Sequence, residues 1–319
     1  MDFLGIDVGK SDLHAALLQG NRTSTRSVPN SALGIKQLLT WLRNRNVASA
    51  HVCLESTGGW SEAAAYALHE AGHVVSIVNP SRVKAFAQSE MLRTKTDAVD
   101  AALIARFCSL HKPERWVPPP PEILTLQGLV RRHQRLAAMR IEEQNRFDSP
   151  MLSRAVRMSI KRHIAHLTAA IEQIDREIDD LFNEHDGLRR QRDLLMSIPG
   201  IAETTAARIL GEVPHIAEFR DVKAIVAFAG LSPRHYQSGS IRRSTRLSKL
   251  GNANLRSSLY FPAITALRYN PIVRDLSARL AERGKPKMSI IAAAMRKLLV
   301  LAYGVLKTGR PFDATYAAS

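Results

Sequence analysis

Cysteine is nearly missing from this chain of 319 residues. Cys53 and Cys108 stand singly, with no Cys-x-x-Cys partner, inside apolar runs. That excludes a disulfide framework and a cysteine-built metal centre, and leaves two buried thiols suited to a reducing cytosol. A long unbroken apolar run is lacking too. The start, Met1-Asp2-Phe3-Leu4, shows no basic region followed by an apolar stretch, so no signal peptide is read. The most apolar segment, near the C-terminus, is interrupted by Arg296 and Lys297, which argues against a membrane span and for a soluble, cytoplasmic protein.

Acidic residues are the third scarcity. Only 29 Asp and Glu face 45 Lys and Arg, for a formal charge of +16 and a sequence pI near 10.3. The natural partner of such a surface is a phosphate polymer. Residues 1–110 are nearly balanced, with 11 Lys or Arg and 9 Asp or Glu, so the excess lies downstream. No Asp or Glu occurs between Asp221 and Asp275, an interval that holds Arg234, Arg242, Arg243, Arg246, Lys249 and Arg256. These six are the candidate DNA contacts.

What is present has a clear order. Phe3–Val8 and Leu13–Leu18 are short apolar runs at hairpin distance across a polar Gly9-Lys10-Ser11-Asp12 turn, and both read as strands. A helix is expected from Ser31, because Ile35, Leu38, Leu39 and Leu42 share one face. Ala50–Leu54 reads as a strand ending at Glu55, Ser61–Ala71 as a helix, Val74–Val78 as a strand and Asp97–Leu110 as a helix. Such alternation predicts a mixed α/β sheet. The Pro118–Pro121 run is a stiff extended linker. Beyond it, Ile160, Ile164, Leu167, Ile171, Ile174, Ile178 and Leu181 recur every three or four residues, the seam of an antiparallel helical pair or coiled coil. Domains are therefore expected at 1–117, 118–195 and 196–319. Ser197-Ile198-Pro199-Gly200-Ile201 resembles a helix-hairpin-helix turn, whose backbone N–H groups face phosphates. Helices follow to about Leu306, around one irregular loop at Ser232–Gly251.

Four carboxylates stand out. Asp7 lies in the first strand, Glu55 ends a later one, and Asp97 and Asp100 are three apart on a helix. Gathered together they repel unless cations sit among them, which makes sense as a magnesium site. Two ions about 4 Å apart polarise a phosphodiester, hold a nucleophile and steady the leaving oxygen. Capping of the helix start at Thr96-Asp97 is the competing account of the last pair. Gly5-Ile6-Asp7-Val8-Gly9-Lys10-Ser11 is one residue short of a phosphate-binding loop. Its first half also resembles a phosphate motif of actin-like ATPases, a rival that gives the basic half of the chain no role.

Within the acid-free interval lies Tyr236-Gln237-Ser238-Gly239-Ser240. Arginines around it suit a pentavalent phosphate and a serine alkoxide. Chemistry alone leaves Ser238, Ser240 and Tyr236 open as nucleophile.

The phrases Gly5-Ile6-Asp7, Cys53-Leu54-Glu55-Ser56-Thr57-Gly58, Val78-Asn79-Pro80, Lys84-Ala85-Phe86-Ala87, Thr94-Lys95-Thr96-Asp97-Ala98-Val99-Asp100-Ala101, Ser197-Ile198-Pro199-Gly200, Phe228-Ala229-Gly230-Leu231 and Ser238-Gly239-Ser240 occur in this order. On them the chain resembles the DEDD-type transposases of bacterial insertion sequences, the group described as bridge-RNA-guided recombinases. The resemblance implies a ribonuclease-H-like or resolvase-like N-terminal domain, a helical coiled-coil middle and a mainly helical C-terminal transposase domain. It implies that Asp7, Glu55, Asp97 and Asp100 bind Mg2+, with Mn2+ as a substitute. It further implies that Ser238 forms a covalent link to DNA, that a structured RNA selects the DNA partners, and that the protein works as a dimer or tetramer, one protomer's acidic domain facing another's serine domain. The alternative is a Holliday-junction-type metal-dependent endonuclease that uses water as nucleophile.

Overall fold

Apolar residues alternating with small or polar ones build the first sheet. Its strands are β1 (Asp2–Val8), β2 (Asp12–Gln19), β3 (Arg22–Pro29), β4 (Ala50–Glu55) and β5 (Val74–Val78), in the order β3-β2-β1-β4-β5. The first three form an antiparallel meander, and β4 and β5 add parallel to β1. Four helices cover it: α1 (Ala32–Arg43), α2 (Gly59–Glu70), α3 (Pro80–Ser89) and α4 (Asp97–His111). Because side chains alternate across a strand, Leu4, Ile6, Val52 and Leu54 bury on one face with Ile35, Leu38 and Leu68 of α1 and α2. Cys53 buries on the other with Val83 of α3 and Ile104, Phe107 and Cys108 of α4. Both thiols are buried, and Cys108 Sγ donates to the His51 carbonyl at 3.4 Å. This is the ribonuclease-H-like arrangement.

The computed structural model describes every residue except 57, 92–95, 235–236, 239–240, 243–245 and 316–319, and at 237–238, 241–242 and 246 it describes the backbone alone. The chain divides into two compact units, Met1–Pro118 and Pro119–Ser319.

The second unit is mainly helical. Helices α5 (Pro121–Phe147) and α6 (Arg154–Glu184) turn back on each other along a seam that includes Leu136, Leu167 and Ile171. The threefold-to-fourfold spacing read from the sequence is this seam: Ile160, Leu167, Ile171, Ile178 and Leu181 are all buried. After α7 (Asp186–Met196), α8 (Glu203–Glu212), a 3-10 turn (Ile216–Glu218) and α9 (Val222–Phe228) come four strands of two residues each. They are β6 (Pro233–Arg234), β7 (Gln237–Ser238), β8 (Ile241–Arg242) and β9 (Arg246–Leu247). The chain ends with α10 (Ala253–Ser258), α11 (Tyr260–Tyr269), α12 (Pro271–Glu282) and α13 (Lys287–Thr308). By length and composition α13 could cross a membrane. Here Ala294, Leu298, Leu299 and Ala302 bury it in the core, against α9, α11 and α12.

Two elements went unread in the sequence, and one local expectation needs correction. Strand β3 was not anticipated, because of its eight residues only Val28 is buried. Nor was α3, which buries only Val83. The segment Ser232–Gly251, expected to be irregular, contains two short antiparallel ladders.

Candidate active site and nucleic-acid interface

The acidic residues collect at one end of the first sheet. Strand β1 runs parallel to β4 with Ile6 opposite Leu54, so Asp7 and Glu55 are the next residues on neighbouring strands. On its other side Asp7 is paired with His14 of β2. Helix α4 crosses the same strand two residues earlier. A Cβ on Gly5 would fall 2.2 Å from the Ala101 carbonyl oxygen and 2.2 Å from the Ala105 nitrogen. Only glycine admits this approach, and it sets the first turn of α4, which carries Asp97 and Asp100, near the end of β1. Thr96 caps that helix, its hydroxyl accepting from the Val99 N–H at 3.3 Å, so neither aspartate is consumed as the cap.

Among the described residues no group of three or more His, Cys, Asp or Glu is placed to hold a metal ion. Asp97 instead meets His14, whose Nε2 lies 3.3 Å from Asp97 Oδ2. Chemically the donors suit a hard divalent cation, since all four are carboxylates. In position, Asp7, Glu55 and the start of α4 share one sheet end, where Asp97 is paired with His14. His14 was missed in the sequence. Its signal was the hairpin register, which places it beside Asp7.

The serine segment is a ribbon with a clamped base. Its outer ladder pairs Pro233 with Leu247 and Arg234 with Arg246, and the inner one pairs Gln237 with Arg242 and Ser238 with Ile241. Ser238 therefore ends the strand that leads into the tip. Tyr236, Ser240 and Arg243 lie outside the described residues, as do the side chains of Ser238, Arg242 and Arg246. At the base, the N–H groups of Ser248 and Asn252 donate to the carbonyls of Ser232 and Phe228 at 2.9 and 2.7 Å. Gly251, at φ +144°, comes so close that a Cβ would sit 2.3 Å from the Phe228 carbonyl oxygen. Arg234 and Lys249 are exposed, free of the core, whereas Arg256 is half-buried and donates through Nη1 to the Ala229 carbonyl at 3.0 Å. Of the six cationic candidates, Arg256 thus holds the ribbon's foot.

A buried carboxylate secures that foot from below. The Glu212 side chain is fully inaccessible and receives Arg131 in two hydrogen bonds, Nε to Oε1 at 2.9 Å and Nη2 to Oε2 at 3.1 Å. Asn252 and Asn254 donate to it at 2.8 and 3.1 Å. Burial opposes the charge, but the bonds from Arg131, Asn252 and Asn254 together outweigh it and hold the carboxyl below its ordinary pKa. Asn252 also caps α10 through its Oδ1. Glu212 was not singled out from sequence, where it is merely the last residue of an apolar helix.

The turn after α7 is explained by packing. Gly200 has φ +106°, and a Cβ there would meet the Ala266 Cβ of α11 at 2.8 Å. Asn270 Nδ2 donates to the Pro199 carbonyl at 3.2 Å.

A family model described as "Transposase" matches residues 4–155, and one described as "Transposase IS116/IS110/IS902 family" matches residues 192–278. The chain is 34% identical to the pilin gene-inverting protein of Moraxella bovis, over 98% of this chain and 97% of that protein. It is 24% identical to the transposase for insertion sequence element IS1328 of Yersinia enterocolitica, over 97% and 98%. Among solved structures, T. thermophilus RuvC in complex with a Holliday junction substrate is similar at 17% identity and a TM-score of 0.29, over 36% of this chain and 98% of that one. A family named for its acidic quartet implies dependence on a divalent metal, and a transposase implies DNA as partner. With both halves matched and a 34% identical relative spanning nearly its whole length, the chain belongs to the IS116/IS110/IS902 family of transposases, a family of DNA-recombining enzymes.

Proposed function

We propose that this transposase cuts and rejoins DNA through a covalent bond between Ser238 and a strand end, and that Asp7, Glu55, Asp97 and Asp100 hold the Mg2+ the reaction uses. The observation that carries the reading is the near full-length similarity to a protein named for gene inversion. Inversion joins every cut end to a new partner. Hydrolysis by water ends with free strand ends and cannot do this alone, whereas a serine ester keeps the bond energy for rejoining. In the first step the Ser238 Oγ–P bond forms as a P–O bond to deoxyribose breaks, and the serine proton passes to the leaving oxygen. In the second, a strand hydroxyl attacks the same phosphorus, restores the phosphodiester and returns the proton to Ser238. Bound Mg2+, or Mn2+ in its place, supplies charge neutralisation at the phosphate. Arg234, Arg242, Arg243, Arg246 and Lys249 grip phosphates along the ribbon, with Arg256 bracing its foot.

The same reading includes a structured RNA that selects DNA partners by base pairing, which accounts for a large basic surface without a sequence-reading module. It also includes assembly as a dimer or tetramer, and a cytoplasmic, nucleoid-associated protein. The rival is a Holliday-junction-type nuclease, supported by the acidic sheet end, which needs no serine. A denaturing-gel assay separates the two, using labelled element-end DNA, Mg2+ and co-expressed flanking RNA. The expected result is a protein–DNA adduct lost in Ser238→Ala and Asp7→Ala but kept in Ser240→Ala. Metal-dependent cleavage with no adduct, unchanged in Ser238→Ala, overturns the proposal in favour of the nuclease.

A further inference from the structure

Helix α11 is built inside out. Its inner positions are alanines, with Ala263 and Ala266 fully buried. Its outer positions carry the large side chains: Phe261 is 74% exposed, Ile264 40% and Tyr269 64%, alongside exposed Thr265 and Arg268. At spacings of three, four, seven and eight from Phe261, these five form one continuous face. At Ala266 the small side chain has a cause, since Gly200 of the α7–α8 turn approaches so closely that even a Cβ on Gly200 would sit 2.8 Å from the Ala266 Cβ. Of the outer rings, Phe261 meets only the edge of Tyr260, with ring centroids 5.3 Å apart, and still stays mostly in water. Two aromatic rings and an isoleucine in water on one short helix are the mark of a binding surface.

Charge decides what binds it. The helix lies within the interval from Asp221 to Asp275 that contains no acidic residue, and Arg268 sits on the face itself. A two-fold contact with a second copy would set this Arg268-bearing face against itself, and the face carries no carboxylate to pair with the guanidinium. A polyanion with flat apolar faces meets both demands. Unpaired bases stack on aromatic rings while the guanidinium takes the phosphate. The position fits as well, because α11 starts four residues after Arg256, which holds the ribbon's foot, and the same foot exposes Phe228 and Leu250.

We infer that the outer face of α11 is a stacking platform for an unpaired DNA strand, with Phe261 and Tyr269 receiving bases and Arg268 the backbone. It rests on the reading of the protein as a DNA-handling enzyme. In that role the platform holds the strand opened beside the cut and keeps it from re-pairing before exchange.

The test uses the full chain and fluorescence anisotropy at one salt concentration, with a labelled 20-nucleotide dT strand, a 20-base-pair duplex and a 20-nucleotide U strand. Phe261→Ala and Tyr269→Ala should each weaken dT binding roughly tenfold, with duplex affinity and Tm unchanged. Phe261→Trp should give emission that dT quenches and duplex does not, against a background of three native tryptophans that all lie in the first unit. Equal losses on dT and duplex, or no loss on either, overturn the inference. A loss confined to the U strand overturns it in favour of RNA. If the alanine variants instead change sedimentation from a larger to a smaller species with dT binding intact, the face is a protein contact and the inference fails. Wild-type protein that binds neither dT nor duplex overturns the DNA reading along with it, which separates the two failures.

Discussion

Single residues carry more of this structure than their size suggests. Gly5 is the first case, because a methyl group there has nowhere to go but into the backbone of α4. Gly5→Ala is expected to cost at least about 3 kcal/mol, since the obstacle is main chain and not a flexible side chain. A thermal melt reads this directly, and an unchanged Tm would refute the close approach. Glu212 is the second case. Its carboxyl is held below the usual carboxylate range, so the charge contributes stability above the unfolded value of about 4.3 and loses it as pH falls through the folded value. Glu212→Gln removes the counter-charge of Arg131, which is partly solvated, and weakens the bonds from Asn252 and Asn254; it should cost about 1–2 kcal/mol at pH 7. In denaturant titrations the gap between wild type and Glu212→Gln should narrow on acidification. A gap that stays constant down to pH 3 would show that the carboxylate is not the stabilising form.

At the level of elements, the ribbon is set by its base and not by its strands. Ladders of two residues hold little by themselves. The positive φ of Gly251, the Asn252 to Phe228 bond and the Arg256 to Ala229 bond fix where the ribbon leaves the core. Gly251→Ala should displace it, lowering strand cleavage at least tenfold while the helical circular dichroism stays near wild type; full activity would sink this account. The same physics explains what the sequence disclosed. Strands β1, β2, β4 and β5 and the α6 seam were legible because apolar residues repeat at the period of the element. The polar edge strand β3 and the exposed helix α3 lack that signal, and the ribbon owes its ladders to closures at Gly251 and Asn252 that no periodicity records. The acidic residues were readable as a pattern of types along the chain. His14 beside Asp7 and Asp97, and Glu212 beneath the ribbon, depend on register and on residues 40 or 81 positions away, and only the folded chain shows them.

For the whole molecule the governing quantity is where the charge lies. Of the two units, Pro119–Ser319 holds 32 of the 45 Lys and Arg against 19 of the 29 Asp and Glu, so the first unit is close to neutral. On the proposed function, long-range attraction for DNA is expected from the second unit and not from the nearly neutral first one, with release of counterions on binding. Duplex affinity is therefore expected to fall roughly a thousandfold or more between 50 and 200 mM salt, as for a protein making six to ten phosphate contacts. The slope of log affinity against log salt tells which cations touch phosphate. Arg234→Ala and Lys249→Ala, at exposed positions, should each reduce it by about one. Arg256→Ala should weaken binding with the slope unchanged, because that guanidinium is engaged at the Ala229 carbonyl and acts by holding the ribbon. Should Arg256→Ala reduce the slope by one as well, its guanidinium reaches a phosphate, and the division between gripping and bracing residues at the ribbon's foot is wrong.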